Sequence, residues 1–306
     1  MKNSKPFVKW VGGKTQLIKD ITNYLPANFA EIKNLTYIEP FVGGGAVLFW
    51  ILQNYPNIER AVINDINPNL TCTYQTIKDE PHKLIEFLSN IEEKYFNLNS
   101  EIERKEYFLA QREKFNYNCE NKIERAGLFI FLNRTCFNGL YRVNKKGHFN
   151  VPFGRYANPK ICDKQTILAD SELLQKVTIL TGDFSQTLNH VGTNNFFYFD
   201  PPYKPITKTS SFTTYTKEDF GDKDQLRLGS FCEKVTQLGY TFLLSNSDLK
   251  NSDPTDNFFD NLYKNFNIKR INASRMINSN ATKRGKISEL LVSNTTPKSL
   301  NYEGAL

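Results

Sequence analysis

A carboxylate, two prolines and a tyrosine follow a short aromatic run in the second half of the chain. Residues 195–203 read Asn-Phe-Phe-Tyr-Phe-Asp-Pro-Pro-Tyr. The run predicts a buried strand that ends at Asp200, and open α/β sheets bind their ligands at the carboxyl ends of strands. Pro201 and Pro202 stiffen the backbone, and the Pro201 carbonyl remains free to accept a hydrogen bond. With the flat ring of Tyr203, these groups suit a planar ligand that carries an exocyclic amine, whereas the alternative is an ordinary Pro-Pro turn.

A glycine-rich turn provides the second group of candidate residues. A predicted strand, Leu35–Glu39, is followed by Pro-Phe-Val-Gly-Gly-Gly and then by a predicted helix, Ala46–Gln53. Glycines after a strand let the backbone approach a ligand closely, and the next predicted strand, Arg60–Asn64, is followed by Asp65 at the spacing of a ribose-binding acid. The turn lacks both the Gly-x-Gly-x-x-Gly and the P-loop patterns, although Gly13-Lys14-Thr15 superficially resembles a P-loop end. The alternative is a tight strand-to-helix turn without a ligand.

A basic segment rich in aromatic residues and glycines, 134–156, is the third candidate. Lysine and arginine neutralise phosphates, arginine can read guanine, and aromatic rings can stack or wedge between bases. Asn138-Gly139 and Lys146-Gly147 are turn signals, so we expect a β-hairpin that could enter a DNA major groove. The alternative is an exposed basic hairpin with no partner.

The elements that position these residues follow an α/β pattern interrupted by helices. Residues 1–68 and 166–306 alternate short strand-like runs with amphipathic stretches, which predicts a discontinuous catalytic domain. Residues 69–165 begin with charge-patterned, helix-like sequence over Lys78–Glu124, which predicts an inserted and mainly helical domain. Further predicted strands are Thr178–Thr181, Phe196–Phe199, Thr241–Leu244 and Glu289–Val292.

Composition narrows the class of protein. The chain has 306 residues, 40% of them hydrophobic, and a net charge of +7, which suits a globular protein with an anionic partner. It shows neither a membrane-length apolar stretch nor a secretory signal, so we expect a cytoplasmic protein without a membrane partner. Five scattered cysteines and three separated histidines predict reduced thiols and no metal site.

Several blocks together resemble Dam-like DNA adenine-N6 methyltransferases of the D12 class, alpha group. The blocks are Phe7–Thr15 (Phe-Val-Lys-Trp-Val-Gly-Gly-Lys-Thr), Tyr37–Gly45, Gly182–Phe184, Asp200–Tyr203 and Phe137–Tyr156 of the basic segment, which ends Asn-Val-Pro-Phe-Gly-Arg-Tyr. They occur in the order that family uses and span most of the chain. The resemblance implies a Rossmann-like S-adenosylmethionine-dependent methyltransferase domain with an inserted, mainly helical DNA-recognition domain bearing a β-hairpin.

The resemblance also implies residue roles in the catalytic domain. Trp10 and Lys14 would contact the methionine end of S-adenosylmethionine, and Asp65 would bind its ribose. Asp183 and Phe184 would hold its adenine. Further cofactor-binding residues are Phe41, Gly43, Gly44, Gly45 and Asp200, and the catalytic residues are Asp200, Pro201, Pro202 and Tyr203.

Roles in DNA binding are implied for the basic segment and for Lys9. Arg142 would read a guanine, Lys9 the first guanine, and Leu140 and Pro152 a thymine methyl group. The remaining implied contacts are Phe137 near the displaced base, Asn138 near the target, and Arg155 and Tyr156 at phosphate. The basic stretches 274–278 and 283–286 are either a loop near the flipped base or a solvated hairpin, and no residue is assigned there.

The implied activity is methyl transfer from S-adenosylmethionine to the N6 atom of a flipped-out adenine in duplex DNA, in the site GATC. The alternative is the same reaction at a longer site containing GAT, within a restriction-modification system. Other readings are an RNA or small-molecule amino-methyltransferase, a DNA-binding protein with an inactive core, and a P-loop-like nucleotidase. The expected partner is double-stranded DNA, joined by a cognate restriction endonuclease if the enzyme belongs to a restriction-modification system, and the expected oligomeric state is a monomer or weak dimer.

Overall fold

A seven-stranded mixed sheet forms the centre of the molecule. The computed structural model describes residues 4–204, 220–274 and 286–296. The strand order is β3-β2-β1-β4-β5-β7-β6. The strands are β1 (Leu35–Glu39), β2 (Ile58–Asp65), β3 (Val177–Thr181), β4 (Asn194–Phe199), β5 (Thr241–Ser247), β6 (Asn267–Ser274) and β7 (Lys286–Ser293).

Strand direction brings the carboxyl ends of β1 to β5 to one edge of the sheet. Strands β1 to β5 run parallel, and β7 pairs antiparallel with both β5 and β6. The chain order along the sheet reverses between β1 and β4, and the crevice outside the carboxyl ends at such a point is where doubly wound sheets bind ligands. The glycine-rich turn after β1 and Asp200 after β4 therefore meet at this crevice.

Helices cover the sheet and fill the middle of the chain. They are α1 (Ile18–Asn23), α2 (Ala46–Asn54), α3 (Pro68–Asp79), α4 (Pro81–Phe96), α5 (Glu101–Tyr117), α6 (Lys122–Thr135), α7 (Lys164–Leu174), α8 (Asp222–Gln237) and α9 (Phe258–Leu262). Helix α5 begins with a capping box, because Ser100 Oγ accepts the Glu103 N–H and Glu103 Oε2 accepts the Ser100 N–H. Helix α6 is largely buried because it packs against α3, α4 and α5.

A continuous apolar core joins the sheet to the helices of the middle region. Phe7, Tyr37, Phe108 and Leu128 belong to one buried cluster, so the amino-terminal residues, the sheet and the inserted helices share it. The mainly helical character predicted for residues 69–165 is confirmed by α4 to α6. The division of the chain into a catalytic domain (1–68 and 166–306) and a recognition domain (69–165) stays a prediction.

Six predicted strands are present, and β6 is the strand that sequence reasoning missed. Strand β4 was predictable because it lies between β1 and β5, where burial on both faces selects a continuous apolar run. Strand β6 reads Asn-Ile-Lys-Arg-Ile-Asn-Ala-Ser and lies at the sheet edge, where charged residues discourage further pairing and weaken the apolar pattern. Residues 275–285, which include most of the basic stretches noted above, lie outside the described residues.

The basic segment forms an antiparallel loop after α6. In this recognition loop (residues 136–156), isolated bridges pair Cys136 with Phe153 and Val143 with Phe149. The predicted hairpin is thus present as two separate bridges rather than a continuous ladder. Gly147 lies in the closing turn, where its N–H donates to the Asn144 carbonyl oxygen at 2.8 Å.

Candidate active site and recognition loop

Asp200 is fixed at the carboxyl end of β4 by two donors. Its Oδ1 lies 3.0 Å from Lys14 Nζ and accepts a hydrogen bond from Ser245 Oγ at 3.2 Å. Burial raises the pKa of Asp200, and the Lys14 ammonium opposes that rise. Among the described residues, none donates to Oδ2. The carboxylate is therefore oriented through one oxygen and can accept from a ligand with the other.

Tyr203 lies between the same lysine and a second acid. Its hydroxyl donates to Glu289 Oε2 at 2.6 Å and accepts from Lys14 Nζ. Lys14 Nζ also lies 3.8 Å from Glu289 Oε2 and 4.2 Å from the centre of the Tyr203 ring. The buried Lys14 ammonium thus contacts two carboxylates, those of Asp200 and Glu289, and the Tyr203 hydroxyl. The predicted residues Lys14, Asp200 and Tyr203 are brought together, with the Lys14 ammonium beside the Asp200 carboxylate.

Glu289 and Glu39 are two acids of this edge that sequence reasoning did not assign to the site. Glu289 directly precedes the buried residues Leu290–Val292 of β7. An acid next to such an apolar run was the sequence feature that could have marked it as a site residue. Glu39 is 2% exposed at the end of β1, and its Oε2 accepts the Tyr37 hydroxyl at 2.8 Å. Burial raises the pKa of Glu39 well above its usual value, although the Tyr37 hydrogen bond opposes this. Glu39 is therefore a buried acid at this edge whose carboxyl group is harder to ionise than usual.

The two prolines present their carbonyls differently. The Pro202 oxygen accepts a hydrogen bond from Gln225 Nε2 at 3.3 Å, and Gln225 is a fully buried residue of α8. The Pro201 oxygen has no hydrogen-bond donor within the described ranges of the chain. The acceptor role predicted for Pro201 is compatible with this geometry. Gln225 occupies the Pro202 carbonyl oxygen and leaves the Pro201 oxygen available to a ligand.

The glycine-rich turn is closed by Asp65 and covered by Trp10. Asp65 Oδ2 accepts the Gly43 N–H at 3.1 Å and Oδ1 accepts the Asn67 N–H at 2.9 Å. A Cβ added at Gly44 would lie 2.8 Å from Trp10 Cβ, so this packing requires glycine. Burial raises the pKa of Asp65 to about 6, against the lowering effect of these hydrogen bonds. Each carboxylate oxygen keeps capacity for a further donor.

An aromatic cluster lies beside this turn. The rings of Phe41 and Phe184 are 5.3 Å apart, and Phe220 lies 5.6 Å from Phe41. Asp183 accepts from the Ser185 N–H at 3.0 Å and from Arg227 Nη2 at 2.9 Å. Burial would raise the pKa of Asp183, but these hydrogen bonds lower it below its usual value. A charged acid therefore stands next to an aromatic surface.

Lys9, Asn138 and Tyr156 meet where the amino-terminal residues contact the recognition loop. The Asn138 N–H donates to Tyr156 Oη at 3.0 Å, and Lys9 Nζ lies 4.7 Å from the Tyr156 ring centre. Asn138 and Gly139 both have positive φ, of 55° and 62°, as a tight Asn-Gly turn requires. Three of the predicted DNA-binding residues therefore form one cluster.

The other predicted DNA-binding residues lie along the loop. Arg142 is held by Asn150, whose Oδ1 accepts Nε at 2.8 Å and whose carbonyl oxygen accepts Nη2 at 3.3 Å. Arg155 Nε lies 3.4 Å from Glu101 Oε1. Phe137 and Pro152 are exposed, Leu140 is half-buried, and the Phe137 N–H donates to the Pro152 carbonyl oxygen at 2.8 Å.

The described residues contain neither a cluster of metal-ligand side chains nor a membrane-spanning helix. No group of three or more histidine, cysteine, aspartate or glutamate side chains could hold a metal ion in residues 4–204, 220–274 and 286–296. Within the same ranges, no helix combines the length and the apolar character needed to cross a membrane.

Comparisons with known proteins decide the family. A model of D12 class N6 adenine-specific DNA methyltransferases matches residues 10–277. The chain belongs to this family. The predicted fold class, an α/β Rossmann-like methyltransferase, and the predicted enzyme class, a DNA adenine-N6 methyltransferase, are confirmed.

Relatives match over nearly the whole length. The chain is 50% identical over 294 residues to the Type II methyltransferase M.MjaIII of Methanocaldococcus jannaschii, covering 95% of this chain and 99% of that protein. It is 41% identical over 297 residues to the Type II methyltransferase M1.LlaDCHI of Lactococcus lactis subsp. cremoris, covering 95% and 96%. It is 35% identical over 292 residues to a DNA adenine methylase of Vibrio cholerae, also covering 95% and 96%.

Proposed function

We propose that this D12-class methyltransferase transfers a methyl group from S-adenosylmethionine to N6 of an adenine flipped out of duplex DNA, in the site GATC. The observation that carries the proposal is the geometry of Asp200. Its carboxylate is oriented through Oδ1 at the crevice between β1 and β4, beside the glycine-rich turn. Oδ2 and the Pro201 carbonyl oxygen would then serve as two acceptors for one amino group.

The residues around the turn fit the cofactor. The aromatic pair Phe41 and Phe184 suits a purine ring, and the charged Asp183 beside it suits the purine's amino group. Asp65 has acceptor capacity left for ribose hydroxyls, although it already accepts two backbone N–H groups. When bound, S-adenosylmethionine supplies a methyl group already activated by its sulfonium. Trp10 and Lys14 are proposed for its methionine end.

Asp200 and Pro201 would prepare the adenine amine for attack. The lone pair of adenine N6 is delocalised into the ring, so the amine is a poor nucleophile. Acceptors at both N6–H bonds favour a tetrahedral nitrogen, on which the lone pair is localised. Because a base inside the duplex cannot reach this crevice, the base must flip out, and Tyr203 is proposed to stack on it.

Binding to duplex DNA is supported by the recognition loop. Lys9, Asn138 and Tyr156 are clustered at its base, and Arg142 is oriented by Asn150 for guanine. Arg155 and Tyr156 are proposed at phosphate, Leu140 and Pro152 at a thymine methyl group, and Phe137 beside the displaced base. The net charge of +7 favours this polyanionic partner over a small molecule. Residues 69–165 would then be the target-recognition domain.

A longer site containing GAT within a restriction-modification system is the second proposal. The restriction-modification part is supported by two relatives, at 50% and 41% identity, that are named Type II methyltransferases, whereas the DNA adenine methylase is 35% identical. A cognate restriction endonuclease would then be a functional partner. A cytoplasmic location and a monomer or weak dimer remain our predictions.

The test is transfer of labelled methyl from S-adenosylmethionine to a duplex with one GATC, beside a matched duplex with that site scrambled. We expect label only in the GATC duplex, recovered as N6-methyladenine. Label in neither duplex, but in a duplex that carries GAT within other flanking sequences, would support the longer site. Label in both duplexes, or in a base other than adenine, would contradict the proposal.

A further inference from the structure

The side chain of Asn133 forms hydrogen bonds with two other segments of the chain, the amino-terminal residues at Lys9 and the recognition loop at Gly139. It is a 2% exposed residue near the end of α6. Its Oδ1 accepts the Lys9 N–H at 2.8 Å, and its Nδ2 donates to the carbonyl oxygens of Lys9 at 2.8 Å and Gly139 at 2.9 Å. Both amide hydrogens and the amide oxygen are therefore used to join Lys9 to the recognition loop.

The side chain of Lys9 is confined by the same loop. A Cβ added at Gly139 would lie 2.5 Å from Lys9 Cδ, so the lysine stem lies directly on this glycine. Lys9 Nζ lies over the Tyr156 ring, and the Tyr156 hydroxyl in turn accepts the Asn138 N–H. The ammonium group is therefore directed by contacts that depend on the position of the Lys9 backbone.

The register of the amino-terminal segment (residues 4–14) decides which side chain reaches the loop. Val8 is 3% exposed, Lys9 is exposed and Trp10 is half-buried. A shift by one residue would bring a buried or half-buried side chain to the loop in place of the lysine. Asn133 binds both the N–H and the carbonyl oxygen of Lys9, and such a paired contact opposes this shift.

The same segment continues into the catalytic site. Trp10 packs on Gly43 and Gly44, and Lys14 lies 3.0 Å from Asp200 Oδ1. The amino-terminal segment therefore has one end in the recognition loop and the other at the catalytic acid. A change in the register of this segment would therefore displace residues at both the recognition loop and Asp200.

We propose that Asn133 is a positioning residue for target-site recognition, which acts by holding Lys9 in register with the recognition loop. The inference rests on the proposed function, in which Lys9 reads the first guanine of the site. Asn133 itself is buried and touches no DNA in this account. Its loss is expected to lower discrimination at the first guanine, because Lys9 is no longer held against the recognition loop.

A double-mutant cycle tests this dependence. Asn133→Leu removes all three hydrogen bonds at similar volume, and Lys9→Ala removes the ammonium group. The readout is the ratio of kcat/KM for a GATC duplex to that for a duplex with the first guanine replaced. We expect each single change to lower this ratio by about tenfold. In the double variant, Lys9→Ala should then add less than about twofold, because the two residues act as one unit.

Asn57→Leu is the matched control. Asn57 Nδ2 donates to the carbonyl oxygens of Phe29 at 2.8 Å and Ile32 at 3.0 Å, remote in sequence from both regions. We expect this variant to lose stability without a change in site discrimination. If Asn133→Leu does not fold, Asn133→Asp keeps the acceptor for the Lys9 N–H and loses both donors, and the cycle is run with it. Wild-type discrimination in the Asn133 variant, or independent multiplying effects, would overturn the proposal.

Hydrogen exchange at the Lys9 amide separates this proposal from the proposed function. Asn133→Leu should speed that exchange by at least about tenfold relative to wild type and to Asn57→Leu, because its acceptor is lost. Unchanged exchange overturns the positioning role. Absence of methyl transfer by the wild-type protein on adenine would instead overturn the proposed function, and the exchange result would still decide the role of Asn133.

Discussion

The sheet edge and the recognition loop hold their polar side chains in different ways. At the sheet edge, the side chain of Lys14 is 4% exposed, and those of Asp200 and Glu289 are 19% and 18% exposed. In the loop, the ion pair of Arg155 and Glu101 has side chains that are 71% and 61% exposed. The first region is a buried network whose partners are fixed by the fold. The second consists of exposed groups with weak and replaceable partners.

This difference indicates that methyl transfer depends on the sheet edge and DNA recognition on the loop, so the two can be altered separately. Fixed polar groups in a site with little water can stabilise developing charge without reorganisation, as methyl transfer requires. Exposed cations can exchange water and weak ion-pair partners for phosphates and bases when DNA binds. We therefore expect changes at the sheet edge to reduce turnover, and changes in the loop to reduce discrimination or affinity.

The largest expected effect is that of Asp200→Ala. The change removes the acceptor that we propose for the adenine amine, so single-turnover methyl transfer should fall by at least about 10²–10³-fold. A gel-shift assay should show DNA binding within a few-fold of wild type. Ser245→Ala, which removes one donor to Oδ1, should cost much less. Turnover comparable to wild type in Asp200→Ala would end the catalytic role of this residue.

Arg142→Ala tests the opposite side of the comparison. Loss of a guanine contact should relax discrimination at one position of the site by roughly 1–3 kcal/mol, measured as kcat/KM over single-base variants. Arg155→Ala is the matched control, since loss of a phosphate contact should weaken binding to all duplexes alike. An unchanged preference in Arg142→Ala would show that this arginine does not read a base.

Glu289→Gln probes the shared cation of the sheet edge. Glutamine keeps an acceptor for the Tyr203 hydroxyl but removes the second carboxylate near Lys14. The lysine should then pair more tightly with Asp200 and weaken it as an acceptor. We expect kcat to fall by about tenfold with little change in KM for DNA, consistent with one lost charge-assisted contact. A change confined to KM would contradict this role.

The smallest expected effect concerns stability and pH at the start of the amino-terminal segment. Asp170 Oδ1 accepts from Ser4 Oγ at 2.5 Å and from the Lys5 N–H at 3.2 Å. Burial raises the pKa of Asp170 to about 8, above its value in the unfolded chain. The folded state therefore binds the extra proton, and this stabilisation is lost as pH rises through about 8.

Denaturant titrations at pH 7 and pH 9 measure that loss. With one proton and a folded pKa near 8, the free energy of unfolding should fall by roughly 1.4 kcal/mol over this interval. Asp170→Asn should remove this part of the pH dependence. An identical slope in the variant would assign the pH dependence to other groups.

Apolar runs in the sequence predicted where strands end. They did not predict which side chains from distant parts of the chain contact one another. Asp65 and Asp200 could be predicted because each comes directly after a run of apolar residues that is itself enough to predict a strand. The partners of Lys14 were not, because its contact Tyr203 lies 189 positions away and depends on strand order. Glu289 is positioned by the antiparallel pairing of β7 with β5, which no motif encodes. Asn133 looks like any polar residue near a helix end until its three hydrogen bonds are seen.

One measurement tests the separation of chemistry from recognition most directly. Wild type, Asp200→Ala and Arg142→Ala are each mixed with equal amounts of a GATC duplex and a single-base variant duplex, and both bound DNA and N6-methyladenine are quantified. We predict that Asp200→Ala keeps the wild-type binding preference and makes no N6-methyladenine, while Arg142→Ala methylates both duplexes. Loss of preference in Asp200→Ala, or retained preference in Arg142→Ala, would contradict the account.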